Sequence, residues 1–392
     1  MSRPFGRGSV TALLAHSALI QTIVFLVRPS MTYQAIALDV PIFALGALAA
    51  TFALVPLALA VPAGGWVDRF GERLLMLVGS ATVILATVVL LLAGTTLAGL
   101  IAGTALLGAG HLGCIVGQQT VVANTSHGSR LDTMFGYYTF SASLGQAIGP
   151  LLIPLAGGAV VNPNTTILFA VGAALSLVLL ITTFGIARVP RQPAPASAAP
   201  KDSALAILKV PGVARAITTS AVIVAAVDLT LVYIPALGAE RGLTAATVGI
   251  VLAIRAVFSM ISRLFLGRVS ARIGRGRLIS VSIALSAITL VALAIPLPPW
   301  ALFIVVALLG LGLGVGQPLT MSWLIEQTPR GRRGRALSLR LAGNRLGQVA
   351  IPAAVGAVAV GLGAGAVLVT IGVLLGTTLL LLRGVKLDGD DQ

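Results

Sequence analysis

The sequence predicts an all-α membrane protein with twelve transmembrane helices arranged as two pseudo-symmetric six-helix halves. Hydrophobic residues make up 57% of the 392 residues and charged residues only 9%, and the mean hydropathy is +1.03. The apolar residues fall in long runs, and about 20 such residues let a helix cross the hydrocarbon core of a bilayer. Motifs of the first half also recur about half a chain later.

Each long apolar run is predicted as one membrane span, because a helix satisfies its own backbone hydrogen bonds in lipid. The predicted helices 1 to 12 cover residues 9–27, 41–62, 74–94, 97–122, 135–158, 165–187, 213–236, 246–266, 277–296, 300–324, 337–360 and 364–382.

The longest polar stretch, residues 188–212, divides the chain. Its several prolines, with Ala and Ser, are typical of a linker. We therefore expect an N-terminal six-helix bundle at 1–187, a cytoplasmic linker at 188–212 and a C-terminal six-helix bundle at 213–392.

Basic residues indicate the orientation. Nearly all of them fall in alternate segments between spans, and the opposite segments carry only Arg28 and Arg241. Because cytoplasmic loops are enriched in Lys and Arg, we expect both termini in the cytoplasm. The short loops favour a bacterial plasma (inner) membrane. The formal charge of +15 reflects this topology, and with only 5% aromatic residues no nucleic-acid partner is expected.

The two halves share sequence motifs. Residues 145–150 (GQAIGP) recur as 347–352 (GQVAIP), and residues 65–71 (GWVDRFG) recur as 267–274 (GRVSARIG). Paired halves joined by a linker are typical of secondary transporters, whose substrate site lies near the bilayer midplane.

Residues 64–73 (GGWVDRFGER) resemble the cytoplasmic signature loop of the major facilitator superfamily, G-x-x-x-D-R-x-G-R-[KR], with Glu72 in place of a basic residue. An ordinary positively charged turn is the alternative interpretation. The resemblance implies the superfamily's fold and a conformational latch, with Arg340 of helix 11 as the expected partner of the acid. The latch residues are Gly65, Asp68, Arg69, Gly71, Arg73 and Arg340.

Helix 5 resembles the antiporter motif of the drug:proton antiporter group, G-x8-G-x3-G-P-x2-G-G, through Gly136, Gly145, Gly149 and Pro150. The final glycine pair of that motif is out of register. The resemblance implies export, and close helix packing is the alternative interpretation. The arginine that this group carries in helix 4 is absent.

Ionisable residues within spans are candidates for substrate or proton binding, because burial in a membrane makes them costly. Asp228 and Arg255 lie at similar depth, so we expect an ion pair that either fixes helix packing or exchanges a proton. Arg345 would suit an anionic substrate, and its alternatives are snorkelling or pairing with Glu326 or Asp68. The full set of candidates is Asp228, Arg255, Arg345, Asn344, His16, Gln21, His111, Gln118 and Gln146.

The predicted function is proton-coupled, multidrug-type efflux of small organic compounds by alternating access. An organic-anion transporter using Arg255 and Arg345 is the alternative, followed by a non-transporting membrane sensor. No cofactor or metal is expected: the sequence has no G-x4-G-K-[ST] loop, so a proton gradient is the expected energy source. With three histidines and one cysteine, an enzyme is not expected. We expect a monomer in the lipid bilayer with a small-molecule substrate.

Overall fold

A computed structural model provides the structure of the chain. It describes residues 6–125, 129–187, 208–328, 333–358 and 360–382. These residues form helices joined by short turns and contain no β-strand, which confirms the predicted all-α class.

Twelve long helices occur in the described ranges, one for each predicted span. They are α1 (Arg7–Ala37), α2 (Leu45–Phe70), α3 (Glu72–Ala93), α4 (Leu97–Thr125), α5 (Ser129–Gly157), α6 (Thr165–Gly185), α7 (Val213–Glu240), α8 (Ala245–Ile273), α9 (Arg275–Leu293), α10 (Pro299–Gln327), α11 (Arg333–Val358) and α12 (Gly363–Leu382). A 3-10 turn, Ile42–Ala44, precedes α2.

Eleven of these helices are long and apolar enough to cross a membrane. The one remaining helix is α11, which carries Arg340, Asn344, Arg345 and Gln348 along its middle. Three of those side chains, Arg340, Asn344 and Gln348, are each 7% exposed. Their spacing of four residues places them on one helical face, so α11 buries this polar stripe inside the protein.

The first helix ends ten residues later than predicted. It continues past residue 27 and through Pro29 to Ala37, and the Ser30 hydroxyl donates to the Leu26 carbonyl at 2.7 Å. Arg28, which the sequence analysis assigned to a loop, therefore lies inside α1 and is only 4% exposed. Proline is tolerated in membrane helices because nearby hydroxyls and neighbouring helices satisfy the backbone groups that it disturbs.

The predicted signature loop is mostly helical. α2 extends to Phe70 and α3 starts at Glu72, so Gly71 alone separates them. Its φ of +88° is strained for residues with a Cβ atom. Gly274, with a φ of +82°, separates α8 from α9 in the same way, so the sequence repeat marks two equivalent helix junctions.

The chain forms two compact units. Within the described residues, unit 1 contains 6–41, 51–187 and 238–253, and unit 2 contains 42–50, 208–237 and 254–382. In unit 1, α1 packs against α5 and α6, and α3 against α4 and α6. In unit 2, α9 packs against α10 and α12. Most of the predicted linker lies outside the described residues.

Glycines allow close helix crossings in each unit. A Cβ atom added to Gly145 of α5 would lie 2.1 Å from the Ala18 carbonyl oxygen of α1, and one on Gly347 of α11 would lie 3.1 Å from the Ala221 carbonyl oxygen of α7. These positions correspond in the repeat, so both copies of the motif bring a helix pair into near backbone contact.

Candidate functional site

Asp228 of α7 and Arg345 of α11 are linked by the amide of Gln348. The Gln348 Nε2 donates to Asp228 Oδ2 at 2.5 Å, and Arg345 Nη1 donates to Gln348 Oε1 at 3.0 Å. Gln348 is 7% exposed, while Asp228 and Arg345 are half-buried. The close approach of α11 to α7 at Gly347 places the neighbouring amide within reach of the carboxylate.

Arg255 of α8 adds a second positive charge to this cluster. It is 2% exposed, and it is attracted electrostatically by Asp228 and repelled by Arg263. The predicted partners Asp228 and Arg255 therefore lie within electrostatic range, although the sequence analysis did not foresee the amide contact of Asp228.

Contacts with α10 fix the position of α8. Ser259 Oγ donates to the Gly310 carbonyl at 2.9 Å, and Arg263 Nε donates to the Gly314 carbonyl at 3.0 Å. A Cβ atom on Gly310 would lie 2.4 Å from the Arg255 carbonyl oxygen. The glycine-rich part of α10 thus lets α8 approach closely and holds Arg255 in place.

Arg340, the predicted latch residue of α11, is bound to α10. Its Nη2 donates to the backbone carbonyl of Gln317 at 3.0 Å and to the Gln317 Oε1 at 2.7 Å. The side chain of its predicted partner, Asp68, lies outside the described residues, as do the surroundings of Gly65. The proposed contact between Asp68 and Arg340 therefore stays a prediction.

The other latch residues belong to unit 1. Arg73 Nη2 donates to the Phe184 carbonyl at 2.9 Å, and the Arg69 guanidinium lies 5.2 Å from the Phe70 ring centroid. Glu72, which departs from the signature pattern, accepts a hydrogen bond from Asn124 of α4 at 2.5 Å. In unit 2 the residue that starts α9, Arg275, instead forms an ion pair with Glu326 at the end of α10.

His16 of α1 is enclosed by polar side chains of neighbouring helices. It is 0% exposed, its Nε2 lies 3.2 Å from Ser80 Oγ, and its Nδ1 lies 2.5 Å from Gln118 Nε2. Ser80 Oγ also lies 3.3 Å from Thr183 Oγ1. These contacts join α1, α3, α4 and α6, so His16 acts foremost as an interhelical hydrogen-bonding group.

A stacked column in unit 1 contains an arginine that the sequence analysis missed. The Arg28 guanidinium lies 4.4 Å from the Phe52 ring centroid, and the rings of Phe52 and His111 have centroids 5.5 Å apart. His111 Nε2 then lies 3.4 Å from Gln21 Nε2. The lack of any charge from residue 29 to residue 38 was the available signal that Arg28 belonged to a continuing helix.

The helix 5 motif acts in packing against α1. A Cβ atom on Gly149 would lie 2.7 Å from the Thr22 carbonyl oxygen, whereas one on Gly136 would meet nothing within 4 Å. Gln146 is half-buried at the position that corresponds to Gln348. No group of three His, Cys, Asp or Glu side chains that could hold a metal occurs among the described residues.

Helices long and apolar enough to cross a membrane, with charged residues buried among them, are typical of a polytopic membrane transporter. The chain belongs to the Major Facilitator Superfamily, whose family profile matches residues 13–237 and 216–389. Together these segments cover both halves of the chain and confirm the predicted fold.

Solved transporter structures share this fold at low sequence identity. A mutant form of the nucleoside transporter NupG has a TM-score of 0.77 and 15% identity, over 95% of this chain and 98% of that one. A POT family transporter in complex with 5-aminolevulinic acid has a TM-score of 0.76 and 14% identity, over 95% and 94%. A POT family transporter with a thioalcohol-conjugated peptide has a TM-score of 0.75 and 14% identity, over the same shares. No curated protein sequence matches significantly.

Proposed function

We propose that this chain is a proton-coupled secondary transporter of small organic anions. The observation that carries the proposal is the charge imbalance within the helices of unit 2. Among the described residues of unit 2, four arginines but only one acid, Asp228, lie seven or more residues from the nearest helix end. These arginines are Arg255, Arg263, Arg340 and Arg345.

The half-buried Arg345 is the group best placed to bind an anion. A guanidinium presents a planar set of donors that matches a carboxylate or phosphate. A positive charge that is removed from water is costly unless a counter-charge accompanies it. A bound organic anion would supply that counter-charge beside Arg345 and Arg255.

Asp228 is the proposed proton carrier. Its carboxylate is half-buried and is linked to Arg345 through Gln348, so a change in its charge alters the electrostatics of the anion site. The gradient of protons across the membrane would then drive transport. We place the protein as a monomer in a bacterial plasma membrane, with both termini in the cytoplasm, because of the distribution of basic residues.

Ligands named for two solved relatives of the fold support this substrate class. 5-Aminolevulinic acid carries a carboxylate, and so does the C-terminus of a peptide. At 14% identity the similarity shows a shared fold and no more. The support is therefore that this fold can hold ligands that carry a carboxylate.

Multidrug-type efflux by proton antiport is the second candidate function. The close contacts of Gly145 and Gly149 with α1 favour it, because these residues form the part of helix 5 that resembles the antiporter motif. In this candidate a cationic or neutral compound competes with the proton for Asp228.

Transport by purified protein in liposomes with an imposed pH gradient tests the proposal. The probes are the disulfonated dye lucifer yellow, whose charge is insensitive to pH, and the cation ethidium. We expect gradient-driven movement of the anion, its loss in Arg345→Met, and its retention in the matched control Arg268→Met, whose side chain is exposed. Movement of ethidium alone would reject the anion class and support drug efflux.

A further inference from the structure

We infer that Gln348 is a positioning residue that couples the protonation of Asp228 to the availability of Arg345, so that a proton and an organic anion bind together. This inference rests on the proposed function. It gives the bridging amide a role of its own and fixes the sign of the coupling between the proton and the substrate.

The chemistry of the three groups allows one orientation of the amide. A guanidinium only donates hydrogen bonds, and an ionised carboxylate only accepts them. The Gln348 amide must therefore present its oxygen to Arg345 and its NH2 group to Asp228, as the structure shows at 3.0 Å and 2.5 Å. The side chain is 7% exposed, so water competes little for either contact.

Protonation of Asp228 removes the reason for that orientation. The contact from the NH2 group loses its charge assistance, which accounts for about half of the strength of such a bond. The carboxyl O–H also needs an acceptor, and the amide oxygen is the nearest acceptor that the bridge offers. If the amide rotates to accept it, its NH2 group faces Arg345, where two donors oppose each other and Arg345 is released.

Three further arginines lie on α8 and α11. Arg255 of α8 is attracted by Asp228, and Arg263 acts on Arg255. Arg340 of α11 is bound to Gln317 of α10. Gln348, by contrast, is hydrogen-bonded to both Asp228 and Arg345.

The coupling between the protonation of Asp228 and the affinity for the anion has a definite sign. Ionised Asp228 holds Arg345 through Gln348 and partly neutralises it, which disfavours an incoming anion. Protonation removes that negative charge and releases the guanidinium from Gln348, so anion affinity rises as the pH falls. By reciprocity, the bound anion favours the protonated form of Asp228 to the same extent. A proton and an anion that bind together also cross the membrane together, which is co-transport.

The test is the pH dependence of lucifer yellow binding to the purified full-length protein, measured by fluorescence anisotropy between roughly pH 5 and roughly pH 8. In the unmodified protein we expect the affinity to rise about 5-fold or more as the pH falls, the lower end of typical couplings between sites. Gln348→Met keeps the side-chain length but removes donor and acceptor, and it should weaken this dependence while the dye still binds. Asp228→Asn should bind with the low-pH affinity at every pH.

Gln317→Met is the matched control, because the Gln317 amide bridges Arg340 and the Ser220 carbonyl rather than an arginine and a carboxylate. This variant should keep the pH dependence. An unchanged slope in Gln348→Met, or an affinity that stays flat or falls as the pH falls in the unmodified protein, would overturn the inference while leaving the anion class intact. Absence of dye binding in the unmodified protein would instead reject the proposed function, so the two failures are distinguishable. Circular dichroism and size-exclusion chromatography confirm that each variant is folded.

Discussion

Arg28 of α1 lies over the ring of Phe52 of α2, with its guanidinium carbon 4.4 Å from the ring centroid. Phe52 is 2% exposed and Arg28 is 4% exposed, so the pair is removed from water. A cation over an aromatic face gains about 0.5–1 kcal/mol at exposed sites and about 2 kcal/mol when desolvated. The contact therefore stabilises a charge that the apolar helix would otherwise hold at a cost.

Phe52→Leu should lower stability by about 1–3 kcal/mol, because leucine packs in the same place but has no ring face for Arg28. Thermal unfolding in detergent micelles measures the change. Phe140→Leu on α5, where the ring is 44% exposed, is the control and should change little. Equal losses in the two variants would show that the ring face contributes nothing.

Gly145→Ala should destabilise the protein by about 1–3 kcal/mol, because the new methyl group would meet the backbone oxygen of Ala18 at 2.1 Å. Gly136→Ala on the same helix meets open space and should raise stability by up to about 1 kcal/mol, since alanine favours a helix. Denaturation of both variants in one detergent gives the comparison. A stable Gly145→Ala protein would show that α1 and α5 are not in contact at this point.

Gly71→Ala should cost about 1–2 kcal/mol, because a Cβ atom disfavours the left-handed region of a φ of +88°. Space does not limit this substitution, since a Cβ atom there meets nothing within 4 Å. Gly267→Ala, also in open space but within helix α8, is the control and should be neutral or stabilising. A neutral Gly71→Ala variant would argue against the strained junction.

His16→Leu should lower stability by about 1–3 kcal/mol, because it leaves the buried amide of Gln118 without its partner. The double variant His16→Leu/Gln118→Leu should recover part of that loss, since both polar groups are then gone. A double-mutant cycle of unfolding free energies measures the coupling. Strictly additive effects would show that the two side chains do not interact.

The sequence was sufficient for the number and order of the helices, because each hydrophobic run is long and the polar segments between runs are short. It was less informative about helix ends. The charged residues Asp68 and Arg69 suggested a loop, but α2 continues to Phe70. A helix can extend beyond the bilayer because its backbone hydrogen bonds are internal. Arg28 was missed for the converse reason, as a charge beside a proline suggested the end of α1.

Within the candidate site, Asp228 and Arg255 could be identified because charged residues are rare in the spans. Gln348 could not be assigned a partner, because its contact with Asp228 joins positions 120 residues apart and depends on how closely α11 approaches α7. The sequence did mark the adjacent Gly347 as part of a repeat, but a repeat does not specify which side chains meet. His16 was predicted as a candidate for substrate or proton binding, but its enclosure by Ser80 and Gln118 could not be foreseen, because it depends on the placement of three helices.

The junctions at Gly71 and Gly274 also limit how their helices can move. A connection of one residue holds the end of α2 close to the start of α3, and the end of α8 close to the start of α9. By contrast, the seven residues between Gly157 and Thr165 can absorb displacement between α5 and α6. Each single-glycine junction therefore keeps the two helix ends that it joins within about 7 Å of each other, whatever the relative tilt of the helices.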